Sequence, residues 1–213
     1  DDDAVLLTSA IDLILGKLSM SKKGATREHL TLQVSGTAVS TAVQTVTGAS
    51  RAQMREEYRN TGDLGDVASK YFVAASVKSF FKSRYAPTVL TIREVHEMMQ
   101  SVATVSIGKG SQAARQNLLV RLLRGCQDKN EIRFLVRTLC GNMRLGATIK
   151  SVIAALAGAV GSFGGASADK DLVKTLQDTF NVCPRFYDIA KALLEGGVLK
   201  ASRVCSLVVG HPI

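Results

Sequence analysis

Tryptophan is absent from this 213-residue chain, and proline occurs only three times. So few turn formers argue against an all-β sandwich, whose short strands need frequent punctuation. Cysteine is scarce as well. Cys126, Cys140, Cys183 and Cys205 form no C-x-x-C pair, and His29, His96 and His211 lie far apart in sequence. A zinc site needs clustered ligands, and a small secreted scaffold needs a denser set of cysteines. Buried free thiols are expected instead. No apolar run approaches the roughly 20 residues of a membrane span, so no membrane partner is expected. The opening Asp1–Asp3 is the reverse of a signal peptide's basic start. With 46% hydrophobic and 21% charged residues, the composition is that of an ordinary folded chain.

What is present is helical periodicity. Residues 4–18 carry Val5, Leu6, Ile11, Leu13, Ile14, Leu15 and Leu18 and predict a mostly apolar first helix, followed by a polar linker, Ser19–His29. Ser50 with Gln53 and Thr91 with Glu94 have capping-box spacing, and Gly62 closes the first of these helices. Asp63 is placed to cap a short helix through Val67 and Ala68. Ser111 opens a helix with Leu118, Leu119, Leu122 and Leu123, ended by Gly125. Ile132, Leu135, Val136 and Leu139 follow the i, i+3, i+4, i+7 pattern up to Gly141. An Ala-rich helix over 148–160, a loop over 161–168, a helix capped by Asp169, and one with Pro184 in its first turn that stops at Gly196–Gly197 complete the series. Strand candidates are Thr31–Val34, Val102–Ile107 (better read as a helix continuing) and Val204–Val209. The expected fold is all-α, a single multi-helix domain.

The chain carries a net charge of +9, which points to an anionic partner. Nine basic residues lie between Lys109 and Lys150: these two, Lys129, Arg115, Arg121, Arg124, Arg133, Arg137 and Arg144. Only Asp128 and Glu131 oppose them, so the stretch holds seven of the nine net charges. Arginine predominates, and its planar fork suits phosphate. The helix starts at Ser111 and Thr148 are natural phosphate seats. Gly108–Ala113 also fits G-x-G-x-x-A with Asp128 twenty residues on, the dinucleotide fingerprint spacing. The alternating strands which that fold requires are missing downstream.

Longer motifs sharpen the reading. Gly62-Asp63-Leu64-Gly65-Asp66-Val67-Ala68 resembles the G-D-[LV]-G-x-V-A signature of ATP-dependent DNA ligases. Glu131–Leu139 followed by Gly141-Asn142-Met143-Arg144-Leu145-Gly146 resembles a second stretch of the same family. Gly110-Ser111-Gln112, Phe180 with Cys183 and Pro184, and Leu193-Leu194-Glu195 with Gly197 match in the same order. The resemblance runs from about Leu32 to the end and is nearest to the eukaryotic replicative type. It implies three segments: a poorly matched helix and linker over 1–31, a helical DNA-binding domain over 32–203, and an extended segment over 204–213 leading to a nucleotidyltransferase domain.

In function, the resemblance implies a domain that grips the minor groove of nicked duplex DNA through its phosphates, without sequence specificity. The residues expected to meet DNA, from the resemblance at the Gly141–Gly146 loop and from the basic stretch and helix starts elsewhere, are Gly110, Ser111, Arg115, Arg133, Arg137, Gly141, Asn142, Arg144, Gly146 and Thr148. Asn142 and Ala114 stand where the family often has a basic residue, and Leu145 is expected to anchor the loop in the core. The family's adenylated lysine lies in K-x-D-G, which does not occur here. This chain is therefore expected to be non-catalytic and to need no cofactor, with ATP and Mg²⁺ used by the parent enzyme's own catalytic domains. A nuclear location follows from the resemblance, as does a sliding-clamp partner engaged outside this chain. Whether the parent serves replication, repair or recombination is left open. The alternative is a helical nucleic-acid-binding or scaffold module never joined to a ligase.

Overall fold

A computed structural model describes residues 2–19, 29–30, 32, 34–73, 89–105, 110–163 and 170–204. Ten helices lie among them: α1 (Asp2–Leu15), α2 (Gly36–Thr47), α3 (Arg51–Thr61), α4 (Leu64–Tyr71), α5 (Ile92–Ala103), α6 (Ser111–Arg124), α7 (Lys129–Leu139), α8 (Ile149–Phe163), α9 (Lys170–Val182) and α10 (Phe186–Val204). The described strands are β1 (Leu18–Ser19) and β2 (His29–Leu30), an antiparallel pair with Leu18 opposite Leu30. The fold is all-α.

Two compact units make up the chain. One comprises residues 16–144, and the other residues 1–15 with 145–213. In the first, Val39 and Val43 of α2, Val67 of α4, Met99 and Val102 of α5, Leu119, Leu122 and Leu123 of α6 and Ile132 and Val136 of α7 are fully enclosed. The second has its own core, built from Ile11 of α1, Ile153 and Ala157 of α8, Leu176 of α9 and Ile189 and Leu193 of α10. In this unit α1 packs on α10, so the first helix is part of a folded core.

Local chemistry sets most boundaries. Both capping boxes form: Ser50 Oγ accepts from Gln53 N while Gln53 Oε1 accepts from Ser50 N, and Thr91 and Glu94 do the same. Asp63 Oδ1 caps α4 by accepting from the N–H groups of Gly65 at 2.7 Å and Asp66 at 3.4 Å.

Several expectations are corrected. The first helix ends at Leu15, because Gly16 takes a left-handed φ of 63°, and Leu18 joins β1. Its buried face carries Thr8, Ser9 and Asp12 with Ala4 and Ile11, while Leu6 and Ile14 are exposed. The hydroxyls are tolerated there because Thr8 and Ser9 donate to the carbonyls of Ala4 and Val5, four residues back. Pairing of His29–Leu30 falls just before the strand expected at Thr31–Val34. Of Val102–Ile107, Val102 and Ala103 continue α5 as the helical reading expects, Thr104 and Val105 lie beyond its end, and 106–107 fall outside the described residues.

Helix α8 runs on to Phe163, into the stretch read as a loop. Pro184 precedes α10 by two residues, and Arg185 supplies the first carbonyl acceptor. Gly196–Gly197 ends the first helical stretch of α10 as expected: both residues leave helical φ/ψ, and a second helical stretch follows to Val204. Asp169 and the tail 205–213 lie outside the described residues. Cys126 and Cys183 are buried free thiols, whereas Cys140 is exposed.

Candidate nucleic-acid interface

The residues of the G-D-L-G-D motif and the arginines of α7 meet. Arg137 Nε lies 2.9 Å from Asp63 Oδ2 and its Nη2 3.2 Å from Asp66 Oδ1, while Arg133 Nε is 2.9 Å from Asp66 Oδ1. Asp63 is only 4% exposed and Arg137 15%. One carboxylate thus has two tasks, Oδ1 holding the start of α4 and Oδ2 holding α7. Gly65 makes this approach possible, since a Cβ there would stand 2.6 Å from the Arg133 carbonyl oxygen. Arg137 also lies over the Phe134 ring, 5.4 Å from its centroid.

Beyond α7 the chain turns through Gly141, whose φ is 68°, and Asn142 N–H closes back onto the Arg137 carbonyl at 2.9 Å. This is the glycine-centred turn that satisfies a helix's last carbonyls. Arg144 follows with φ 53°, the described non-glycine residue in the left-handed region. Its Nη2 donates to the Gly62 carbonyl at 2.8 Å, and its Nη1 is 3.5 Å from Asp63 Oδ2. It remains 43% exposed. The carboxylate therefore fixes where this guanidinium points without burying it.

Arg144, Asn142 and Arg137 line one wall of an open groove of about 710 Å³. Arg51 and Arg55 of α3, with Met54 and Tyr58 between and beyond them, and Thr37, Ser40, Thr41 and Gln44 of α2 line much of the rest, and Asp63 contributes the acid in it. Sequence reasoning missed Arg51 and Arg55. Their i, i+4 spacing was a visible signal, masked by Glu56 and Glu57, which reduce the three arginines of α3 to a net charge of +1.

The other marked residues lie elsewhere. Gly110, at φ 88°, precedes α6 with no side-chain cap, and Ser111 is that helix's first residue. Arg115 is turned onto the end of α5, where its Nε and Nη2 each stand 3.4 Å from the carbonyls of Val102 and Val105. Gly146 and Thr148 belong to the second unit, where Thr148 Oγ1 accepts from Ser151 N at 3.2 Å. Leu145 is 47% exposed and corrects the expectation of a core anchor. Among the described residues no cluster of His, Cys, Asp or Glu could hold a metal ion, and no helix is long and apolar enough to cross a membrane.

The family model for the DNA ligase N terminus matches residues 13–157. The chain belongs to this family. DNA ligase 6 of Arabidopsis thaliana is 30% identical to it over 210 residues, covering 92% of this chain and 14% of the plant protein. DNA ligase 1 of Saccharomyces cerevisiae is 27% identical over 177 residues (78% and 22%). DNA ligase 1 of Methanosarcina mazei is 28% identical over 196 residues (92% and 30%). The ligase chain thus spans less than a third of the length of these relatives. Each match covers 78% of this chain or more, so family membership does not rest on the arginine cluster alone.

Proposed function

We propose that this chain is the DNA-binding domain of an ATP-dependent DNA ligase and grips nicked duplex DNA through its phosphates, from the minor-groove side. The observation that carries the reading is the turn after α7. It presents exposed Asn142 and an exposed guanidinium at Arg144, held in direction by Gly62 and Asp63, at the wall of an open groove. Peptide N–H groups and arginine forks address phosphate oxygens and carry no base information, so binding is sequence-tolerant. Sealing of the nick, with its ATP and Mg²⁺, belongs to catalytic domains of the parent enzyme. The K-x-D-G lysine motif of that chemistry does not occur in these 213 residues. The parent is a nuclear enzyme, and any sliding-clamp contact lies outside this chain.

The test is the affinity of the chain for nicked duplex across a salt series. Arg144→Ala should flatten the log–log salt slope by about one unit, the loss of one phosphate contact. Its melting temperature should stay near wild type, since a guanidinium this exposed contributes little to stability. Wild-type affinity and slope in Arg144→Ala would remove the turn from the interface. Loss of all duplex preference in the wild-type chain would favour a scaffold role.

A further inference from the structure

The groove contains more positive charge than the turn after α7 supplies. Four arginines and one aspartate line it. Asp63 is buried, and its free oxygen is already occupied by Arg137 and Arg144. Arg51 and Arg55, in contrast, are exposed, and no ion pair joins either to a described acid. Glu56 follows Arg55 by a step of about 100° around the helix and does not line the groove. The facing wall from α2 is polar and uncharged. Thr41 and Thr45 return their hydroxyl protons to carbonyls one turn back, so hydroxyl oxygens rather than carboxylates face the arginines where Thr41 lines the groove.

We infer that the α2–α3 side of this groove, through Arg51 and Arg55, holds a second run of phosphodiester backbone, beyond the phosphate engaged at Arg144. The inference rests on the DNA-binding reading above and adds a separate contact surface to it. Spacing favours a polymer over a single anion. Residues four apart advance about 6 Å along a helix, close to the axial advance of two nucleotides of one strand at about 3.4 Å each. A groove of about 710 Å³ open to solvent can pass a strand along its length. Arginine forks can each take one phosphate, while the hydroxyl and amide wall of α2 lies against sugar edges at no electrostatic cost.

The experiment uses the whole 213-residue chain and a nicked duplex followed by fluorescence anisotropy. The double variant Arg51→Gln/Arg55→Gln is compared with wild type, with Arg51→Lys/Arg55→Lys, and with Arg121→Gln/Arg124→Gln, which removes equal charge from exposed positions of α6 outside the groove. Two lost contacts lower the salt slope by about 1.8, so the affinity ratio between about 50 and 200 mM salt shrinks about twelvefold. The lysine pair should keep most of the slope, and the α6 pair should change it less than the groove pair. Circular dichroism and melting confirm folding of each variant.

If the Gln pair keeps the wild-type slope while Arg144→Ala flattens it, the groove inference falls and the DNA-binding reading stands. A wild-type chain without duplex affinity overturns both. Equal losses from the groove and α6 pairs reduce the effect to net charge and overturn the groove assignment. ATP titrated at constant ionic strength tests the other phosphate source. Saturable displacement of DNA by ATP, lost in the Gln pair, would make the groove a nucleotide site and overturn the backbone assignment.

Discussion

Replacing Gly65 by alanine exchanges a hydrogen for a methyl group, yet the position has no room for it. Its Cβ would lie 2.6 Å from the Arg133 carbonyl oxygen, 2.9 Å from Arg137 Cγ and 3.0 Å from Asp63 Oδ1. The nearest atom is backbone in the middle of α7, so rotamer changes offer no relief, and α4 must move away from α7. Overpacking of this kind costs about 2–3 kcal/mol. A unit of this size loses about 3–5 °C per kcal/mol, so melting should fall by about 6–15 °C. Gly62, three residues earlier, provides the control. Nothing stands within 4 Å of its Cβ, but its φ is 62°. Gly62→Ala should cost about 1 kcal/mol from the left-handed backbone, and Gly62→Asn less, because asparagine tolerates that region. Gly65→Asn should be at least as damaging as Gly65→Ala. Thermal melts of the four variants decide the matter. A Gly65→Ala protein that melts within a degree of wild type would refute the claim that the motif's second glycine is there for helix contact.

Asp63→Ala removes the α4 cap and strands the largely buried Arg137, so urea unfolding should show a loss of about 3–5 kcal/mol. Asp63→Asn keeps an oxygen for the cap and should lose less; equal losses would show that the ion pair with Arg137 alone matters. Burial, reinforced by the Glu131 and Asp128 carboxylates, pushes the Cys126 thiol up to about 12, and burial with Asp63 also raises Cys140. A maleimide at pH 8 should nevertheless label exposed Cys140 before buried Cys126 and Cys183, read by peptide mass spectrometry of the native chain. Because the folded-state value of Cys126 lies above the ordinary 9.0, the unfolded chain gives up that proton first. The stability it contributes is complete below pH 9 and declines as pH rises towards 12. A denaturation midpoint that rises through that window in the wild type relative to Cys126→Ser would contradict this sign.

The helix boundaries were legible because they are set within a few residues. Ser50 with Gln53, Thr91 with Glu94, and Asp63 with the N–H groups that follow it are local devices, and each forms as its spacing demands. The tertiary use of the same residues was not legible. Nothing near Asp63 in sequence announces that Arg137, 74 positions later, will share its carboxylate. The apolar run in α1 also misled, because hydrophobic residues spread around 4–18 leave the buried side undecided, and back-bonded hydroxyls made Thr8 and Ser9 acceptable there. Gly196–Gly197 reads as a stop and is one, since Gly197, at φ 71°, takes the chain out of helical geometry before a second helical stretch begins. Arg51 and Arg55 escaped because Glu56 and Glu57 reduce the three arginines of α3 to a net +1, although neither glutamate lines the groove.

Charge counted along the chain therefore differs from charge available to a ligand. The stretch 109–150 holds most of the net positive charge, but Arg133 and Arg137 spend theirs on Asp66 and Asp63, and Arg115 turns to helix-end carbonyls. Moving Arg137 onto a phosphate would leave Asp63, at 4% exposure, with only the longer 3.5 Å contact to Arg144 against its charge. Its contribution to an interface is thus positional: it closes α4 against α7 and leaves Asp63 able to steer Arg144. The groove draws its accessible charge from Arg144 and from two arginines on α3, an element outside the basic stretch. A carboxylate inside a cationic surface is consistent with anion binding here because its charge is neutralised by the side chains it orders, and what faces solvent is the outer edge of a guanidinium held in one direction.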